Sequence, residues 1–391
     1  MKIGVDIRCL MDKNRTGVGE YTYGLLNAIF EIDKINQYFL FYNSYQDISV
    51  YIPKWQQKNL HFIIKHWPNK FFNLLLSLRL IKLDKFAPVK LDVWFSPNLH
   101  YTCLSRKIKQ ILTIHDLSFV ILPECFPFKW RLAYKILNPK RQCRRADIIL
   151  TPSENTKHDI VNSYQIVDLP AGRQGSKIQI LRPGLSLGIG HKAEDIRKKY
   201  NLPEKYILFL GTLEPRKNVE TLIEAYQKIQ TSPLPRRQAG FPSPTRGGLG
   251  GVSLVIAGAP GWKNKKLMHL IEDTPNVKYV GYVDDEEKQV LYQNASLFVF
   301  PSLYEGFGIP VLEAMACGVP VITSNRSSLP EVGGDAVCYV NPHNVVELAE
   351  NMKLILENID LRKKMIEKEF EVSKEFNRQK SAGEFIKLLH N

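Results

Sequence analysis

The residues with the clearest chemical potential lie at 301–320, PSLYEGFGIPVLEAMACGVP. A glycine-bearing loop is predicted to lead into a helix that begins near Pro310 and ends near Gly318. The first turn of such a helix attracts an anion through its unpaired N–H groups and its dipole. Glu305 in the loop and Glu313 in the helix could accept hydrogen bonds from the hydroxyl groups of a sugar and a ribose. The spacing E-G-F-G-I-P-x-x-E favours a ligand site over the alternative, a surface turn with an incidental pair of carboxylates.

A second cluster, GTLEPRKN at 211–218, follows a predicted strand and precedes a predicted helix. Arg216 and Lys217 would then lie at the carboxyl edge of a parallel sheet, where open α/β sheets bind ligands. A guanidinium beside an ammonium suits a diphosphate, the first as a fork and the second as a point charge. The alternative is a charged entry into the helix.

Two weaker signals come from the first part of the chain. The segment TGVG at 16–19 follows the first strand, and its Gly17 could face a phosphate or belong to an ordinary strand–helix turn. It does not satisfy G-x-G-x-x-G, because Thr22 occupies the place of the third glycine, and no Walker A sequence is present. His115 ends another strand and could bind a substrate hydroxyl or phosphate, or be a structural residue with Asp116 as a cap.

The elements that must position these residues alternate between strands and helices in two successive sets. The first set has predicted strands at 2–6, 38–42, 93–96, 110–115 and 147–152, and helices at about 20–30, 130–145 and 154–162. The second set has predicted strands at 205–211, 254–258, 277–280, 297–301 and 319–323, and helices at 219–230, at 311–317 and from about 345 onward. This alternation predicts an α/β protein with two doubly wound, Rossmann-like domains.

The predicted domains meet near 181–190, where helical and strand periodicity is lost and glycine becomes frequent. The first domain is therefore assigned to 1–185 and the second to 186–371. Two segments rich in Pro and Gly, 168–176 and 233–251, fit neither set and are interpreted as exposed inserts without a role in the chemistry. The alternative for the second insert is a basic binding loop.

Composition excludes several protein classes. The chain has 391 residues, of which 44% are hydrophobic and 24% charged, so a disordered or collagen-like protein is excluded. No apolar run is long enough for a transmembrane span, and the first residues lack the features of a secretory signal. The six cysteines form no C-x-x-C pair, so neither a zinc site nor a disulfide framework is indicated. A reduced, cytoplasmic protein is expected.

The positive charge is concentrated in one region. Residues 53–145 contain twelve Lys and six Arg against four acidic residues, a net charge of +14 that equals that of the whole chain. Such a region can bind nucleic acid, anionic lipid or a phosphorylated substrate, or it can be a solvated surface. Within it, the stretch 65–86 mixes aromatic residues and leucines with basic residues, which is typical of a surface that lies in an anionic membrane. The alternative is that its leucines, Leu75, Leu78 and Leu83 among them, fill the core.

Together these segments resemble a family 4 retaining glycosyltransferase of the two-domain GT-B type. The resemblance covers nearly the whole chain outside the inserts and is strongest in YILFLGTLEPRKNVETLIEAY and in the region from VGYVDDEEKQ through YEGFGIPVLEAMACG to CYVNP. The words GTLEPRKN and SSLPEVGGDA are similar to mannosyltransferases that use GDP-mannose and build cell-surface polysaccharides. The resemblance implies that two Rossmann-like domains face each other across a cleft.

The resemblance also implies a role for each motif residue. Arg216 and Lys217 would bind the donor diphosphate, and Glu305 would hold hydroxyls of the transferred sugar. Glu313 would hold the ribose hydroxyls. The backbone around the sugar would come from Gly306, Phe307, Gly308 and Ile309.

From the first domain, on the acceptor side, Gly17 would close on the phosphates and His115 would contact the donor sugar near the reacting carbon. The C-terminal helix, about 372–391, would complete this domain.

The implied activity is transfer of a hexose, with mannose as the best candidate, from a nucleotide diphosphate sugar to a glycan or lipid-linked acceptor, with retention of configuration. No cofactor and no metal are expected, since fixed cations and a helix N-terminus can stabilise the departing diphosphate. The enzyme would work in the cytoplasm, with peripheral contact to the cytoplasmic face of the inner membrane. Two rival functions remain at this point: a sugar-nucleotide epimerase on a similar fold, and a non-catalytic nucleic-acid-binding protein, although no nucleic-acid-binding signature is present.

Overall fold

The chain forms two compact α/β units. The computed structural model describes residues 1–13, 15–166, 177–185, 193–231 and 251–390. The first unit comprises Met1–Ile121, Phe128–Gly184 and Phe376–Asn391, and the second comprises Leu122–Pro127 and Leu185–Glu375. The sequence predicts a division at 185/186 and a C-terminal return from about 372, and no sequence signal indicates that 122–127 joins the second unit.

The sheet of the first unit is wholly parallel. In the described residues its strands are β1 Lys2–Asp6, β2 Gln37–Asn43, β3 Leu60–Lys65, β4 Val93–Ser96, β5 Lys109–Thr113, β6 Ile148–Thr151 and β7 Lys177–Ile180. They lie in the order β3-β2-β1-β4-β5-β6-β7. The order reverses between β1 and β4, so loops that follow these two strands meet at a topological switch point.

The sheet of the second unit repeats this topology. Its strands in the described residues are β8 Lys205–Leu210, β9 Val252–Ala257, β10 Val277–Gly281, β11 Leu297–Phe300, β12 Val321–Ser324 and β13 Cys338–Val340. Their order is β10-β9-β8-β11-β12-β13, again with parallel pairing. The α/β class with two doubly wound parallel sheets is therefore confirmed, and here the switch point lies between β8 and β11.

Helices cover the sheets. In chain order they are α1 Gly17–Ile32, α2 Asn69–Ser77, α3 Ser118–Ile121, α4 Phe128–Leu137, α5 Pro139–Arg145, α6 Glu154–Tyr164, α7 Ala193–Lys199, α8 Val219–Thr231, α9 Lys265–Asp273, α10 Asp285–Gln293, α11 Ile309–Ala316, α12 Leu329–Gly333, α13 Val345–Glu357, α14 Ile359–Ser373 and α15 Arg378–His390. The last helix belongs to the first unit.

Burial explains why the strands read as continuous apolar runs. Every residue of β4, β6 and β11 is buried, because a parallel sheet is covered on both faces. In the first unit, the largest fully buried side chain is Trp94 of β4.

Two predicted elements differ from the structure. The helix predicted at 130–145 is divided at Asn138, whose side chain caps α5 while Pro139 occupies the first position of that helix. The segment 16–19, interpreted as a loop, contains the start of α1, which begins at Gly17. The insert 168–176 and all of 233–251 except Gly251 lie outside the described residues.

The stretch 65–86 divides its apolar residues between core and surface. Phe72 and Leu76 of α2 and the downstream Leu83 are buried, whereas Leu78 is 59% exposed and Leu80 is 68% exposed. The alternative that all these leucines fill the core is therefore wrong for Leu78. In the described residues, no helix is long and apolar enough to cross a membrane.

Candidate functional site

Two loops of the second unit leave the sheet at its switch point. One loop follows β8 and contains residues 211–218, and the other follows β11 and contains residues 301–308. Because β8 and β11 are neighbouring parallel strands, both loops emerge at the same carboxyl edge. Backbone contacts join the loops, since the Leu303 N–H donates to the Arg216 carbonyl at 2.8 Å. The topology thus brings together two motifs that are almost ninety residues apart in sequence.

At this edge the structure brings Arg216, Lys217 and Glu305 into direct contact. The Lys217 Nζ lies 2.5 Å from Glu305 Oε1, and the Arg216 Nη1 lies 2.9 Å from Glu305 Oε2. Glu214 holds the Arg216 Nε at 2.6 Å, and the Ser302 hydroxyl lies 2.7 Å from Glu305 Oε1. The arrangement places two cations and two carboxylates in one cluster from which most solvent is excluded.

The electrostatics of the cluster keep its central carboxylate ionised. Burial alone would raise the pKa of Glu305, but the charges of Arg216 and Lys217 outweigh burial and lower it to about 2. Burial and the neighbouring Arg216 lower the pKa of Lys217, and Glu305 opposes that shift. A carboxylate in this position can accept hydrogen bonds from sugar hydroxyls, and the two cations can stabilise a phosphate oxygen.

The loop that carries Glu305 is held by a third segment that sequence reasoning missed. The Ser327 hydroxyl accepts the Glu305 N–H at 2.8 Å, and the Ser328 hydroxyl lies 2.9 Å from the Glu305 carbonyl and 2.7 Å from the Phe307 carbonyl. Both serines belong to SSLPEVGGDA, a segment that was noted for its similarity to mannosyltransferases but whose serines were given no role. Their hydroxyl groups fix the position of the loop.

The helix after this loop begins at Ile309. Gly308 is its N-cap and adopts φ +118°, a conformation that favours glycine, and a Cβ there would lie 2.8 Å from Leu329 Cδ2. Gly306 and Phe307 are buried in the turn that leads into the helix. The first turn of α11 directs its N–H groups toward the carboxyl edge of the sheet.

Glu313 lies in the second turn of α11 and is half-buried. It accepts a hydrogen bond from the Tyr292 hydroxyl at 2.9 Å. Burial and the charge of Glu313 raise the pKa of Tyr292, so the phenol stays protonated and remains a donor. Tyr292 was not singled out from sequence, because the pairing of a phenol on α10 with a carboxylate on α11 depends on how two helices pack.

Gly17 and His115 lie in the first unit. The His115 Nε2 lies 2.7 Å from the Pro97 carbonyl, and the His115 ring meets Tyr21 edge-on at 4.8 Å. Burial lowers the pKa of His115. Since a carbonyl only accepts, the proton of the neutral ring is on Nε2, and Nδ1 is the acceptor atom. Gly17 is exposed, at the first position of α1.

The segment Leu122–Pro127 joins the second unit through Trp262. The Trp262 Nε1 donates to the Cys125 carbonyl at 2.7 Å, and the rings of Phe126 and Trp262 are 5.3 Å apart. Burial and the charge of Glu124 raise the pKa of the Cys125 thiol, and the charge of Arg216 opposes that shift. This segment therefore lies near the cation cluster, and no local sequence signal pointed to it.

In the part of the chain that the structure describes, no group of three or more His, Cys, Asp or Glu side chains could hold a metal ion. The six cysteines are free thiols. The expectation that the reaction needs no metal stays a prediction.

Comparison with known proteins gives a family match. Residues 192–372 match the family model described as glycosyl transferases group 1. The chain is 31% identical over 349 residues to O-antigen chain mannosyltransferase B of Escherichia coli. The matched region covers 84% of this chain and 84% of that protein.

A second relative and a solved structure extend the comparison. The chain is 29% identical to the N-acetylgalactosamine-N,N'-diacetylbacillosaminyl-diphospho-undecaprenol 4-alpha-N-acetylgalactosaminyltransferase of Campylobacter jejuni, over 88% of each chain. The structure is similar to sucrose-phosphate synthase from Thermosynechococcus elongatus, with a TM-score of 0.74, 19% identity, and coverage of 100% of this chain and 98% of that one. That likeness concerns the fold.

Proposed function

The chain belongs to the group 1 glycosyl transferases, and we propose that it transfers mannose from GDP-mannose to a glycan or lipid-linked acceptor with retention of configuration. The observation that carries the proposal is the cluster of Arg216, Lys217 and Glu305 at the switch point of the second sheet. Mannose is favoured by the relative from Escherichia coli, which is a mannosyltransferase by name.

The donor clamp follows from the chemistry of the cluster. Arg216 and Lys217 bind the diphosphate, and Glu305 accepts hydrogen bonds from hydroxyl groups of the sugar. Because Glu214 and Glu305 already neutralise both cations, the donor must share or replace these contacts when it binds. The backbone from Gly306 to Ile309 surrounds the sugar, and Glu313 holds the ribose.

The transfer step needs no protein base. The bond between C1 of the sugar and the diphosphate oxygen breaks, and a bond between C1 and the acceptor oxygen forms on the same face. The acceptor proton passes to an oxygen of the departing diphosphate. Arg216, Lys217 and the N-terminus of α11 stabilise the charge that develops there. Of the residues in the first unit, Gly17 is assigned to the phosphates of the donor. The Nδ1 of His115 is assigned to the donor sugar, from which it can accept a hydrogen bond.

The acceptor side of the proposal includes a membrane. The Campylobacter relative acts, by its name, on a diphospho-undecaprenol-linked sugar, which supports a lipid-linked acceptor. Exposed apolar residues of α2 and of the segment after it, such as Leu74 and Leu80, stand among basic residues of the stretch 65–86. This combination suits peripheral binding to an anionic membrane at the cytoplasmic face.

One experiment tests the donor and the stereochemistry together. We expect GDP-mannose to raise the melting temperature more than other sugar nucleotides, in buffer with excess EDTA. With an acceptor, NMR should show a product that keeps the anomeric configuration of the donor. Inversion, or a requirement for metal, would overturn the mechanism. Conversion of the donor sugar without acceptor would favour an epimerase instead.

A further inference from the structure

An arginine pocket lies in the first unit, away from the residues discussed so far. Two adjoining cavities share Arg79, Arg141 and Arg145, and the larger one, of about 450 Å³, adds Arg106. Their lining also includes Gln110 at the start of β5, so the pocket is at the amino edge of the sheet. Gly17 and His115 follow strands at the opposite, carboxyl edge.

The charge of the pocket is poorly neutralised by the protein. In the described ranges, none of the four arginines forms an ion pair. Asp147 is the carboxylate of the lining, and its Oδ2 accepts the Gln110 N–H at 2.7 Å. Ser105 Oγ and Gln142 Oε1, which also belong to lining residues, are buried without a hydrogen-bond partner. Four guanidinium groups and an unpartnered hydroxyl suit a phosphate group.

Arg79 occupies a conformation that costs free energy. It follows the C-cap of α2 with φ +62°, at a position where glycine is usual. An L-residue there is strained. The conformation places an arginine at the pocket although glycine would suit the backbone better.

Exposed apolar residues border the pocket on two sides. The C-terminal ends of α2 and α4 both line it, through Ser77 and Ile136. Every residue of α4 is at least partly exposed, and its apolar residues include Phe128, 77% exposed, and Ile136, 60% exposed. Lys129, Arg131 and Lys135 alternate with them.

We propose that the arginine pocket binds the phosphate group of an anionic membrane lipid while the exposed faces of α2 and α4 rest at the boundary between headgroups and acyl chains. The apolar border decides for lipid over nucleic acid, whose backbone offers no apolar partner. The site deepens the proposed membrane contact and rests on it, but it is independent of the donor clamp.

The test uses the full-length protein and co-sedimentation with vesicles at physiological salt. The probes are phosphatidylcholine vesicles with and without phosphatidic acid. We expect the wild type to prefer the anionic vesicles, and Arg141→Gln/Arg145→Gln to lower that partition about a hundredfold. The matched control, Lys54→Gln/Lys58→Gln, removes the same charge from exposed residues of the first unit that lie outside the pocket lining and outside α2 and α4. Its loss should be less than about tenfold, because salt screens general attraction.

Several outcomes would overturn the pocket. Equal losses of vesicle binding in the two double variants would show that the protein is held by general electrostatic attraction and not by the pocket. Soluble glycerol phosphate that displaces the protein from vesicles at low excess would point to a free phosphate ligand, and an RNA oligonucleotide that does so would point to nucleic acid. A wild type without preference would remove the membrane contact as well. Donor binding, followed by the melting shift with GDP-mannose, should stay unchanged in both variants, so failure here leaves the donor clamp untouched.

Discussion

At the scale of single residues, Lys217 is the most informative position of the proposed donor clamp. Its ammonium is buried against Glu305 and lies 5.0 Å from the centre of the Phe300 ring. A charge-assisted contact in such a place contributes roughly 3 kcal/mol to transition-state binding. We therefore expect Lys217→Ala to lower kcat/KM for GDP-mannose about a hundredfold in steady-state kinetics.

The control for this prediction is Lys266→Ala, an exposed lysine of α9 that should leave kcat/KM unchanged. Glu313→Ala should act mainly on the donor KM, since a ribose contact is the same in the ground state and the transition state. Wild-type kinetics in both the Lys217 and the Glu313 variant would show that the site is assigned wrongly.

Glu369 is a second residue with a measurable consequence. It is completely buried, its Oε1 accepts the Val321 N–H at 2.9 Å, and its Oε2 has no hydrogen-bond partner. Burial raises its pKa to about 8. The folded state therefore binds this proton more tightly than the unfolded state, whose pKa is near the ordinary 4.3. The stabilisation is complete below that value and is lost as the pH rises toward 8.

We expect Glu369→Gln to remove this pH dependence. Relative to the variant, the wild type should lose up to about 4 kcal/mol of stability between pH 4.5 and 8, at 1.36 kcal/mol per unit of pKa difference. Urea unfolding of both proteins at pH 5 and pH 8 measures the difference. A constant difference between the two proteins at both pH values would contradict an uncharged Glu369 in the folded state.

At the scale of elements, the second sheet was predicted more closely than the first. Strands such as β8 and β11 are short apolar runs bounded by glycine or proline, and this pattern predicts a buried strand. The edge strand β3, LHFIIK, has apolar residues on both its buried and its exposed face, so period two is hidden. The adjacent leucines of α2 likewise show no single helical stripe. The break at Asn138 could have been predicted from Pro139.

Part of the candidate site could be predicted from local motifs, whereas the rest depends on contacts between distant segments. Arg216, Lys217 and Glu305 stand in motifs whose spacing and resemblance predicted a common edge. Their partners Glu214 and Ser302 are ordinary residues beside those motifs, and Ser327 reaches Glu305 from the loop after β12. Hydrogen bonds between loops depend on the register of neighbouring strands, which a single sequence does not state.

The start of α11 allows a prediction at the same scale. Gly308→Ala places a Cβ at φ +118° and within 2.8 Å of Leu329 Cδ2. Strain of this kind costs about 2 kcal/mol, and it would tilt the first turn of α11 away from the donor. We expect a lower melting temperature and at least tenfold weaker binding of GDP-mannose, measured by calorimetry. Gly383→Ala in α15, where a Cβ meets nothing within 4 Å, is the matched control. Equal donor affinity in the two variants would mean that the turn does not form part of the donor site.

At the scale of the whole molecule, the two units differ in how their positive charge is distributed and balanced. The basic region 53–145 belongs to the first unit except for Leu122–Pro127. The cation cluster belongs to the second unit, where two nearby carboxylates balance it. A surplus of positive charge in the unit that carries α2 and α4 suits attraction to an anionic surface, and a balanced cluster suits specific binding of a donor.

The chain passes between the units at four points, and two of these, at 184/185 and 375/376, lie side by side. The Ser381 hydroxyl donates to the Arg182 carbonyl at 2.7 Å, and a Cβ on Gly184 would lie 2.4 Å from the backbone of Arg378. Glycine is therefore needed at this crossing. Because the C-terminal segment returns here, α15 ends the chain as a structural part of the first unit.

The last prediction concerns that return. Phe385 of α15 is buried, and its ring lies 4.6 Å from the ring of Phe95 in β4. Phe385→Ala should therefore cost the first unit about 3–5 kcal/mol, although the residue is only six positions from the end of the chain. Hydrogen exchange should show lost protection in β1 and β4, with the second unit little changed. The control is Phe370→Ala, on the exposed side of α14 in the second unit. It should change neither the stability of the first unit nor the protection of β1 and β4. Loss confined to α15 itself would show that the helix is an appendage, and that β4 is stable without it.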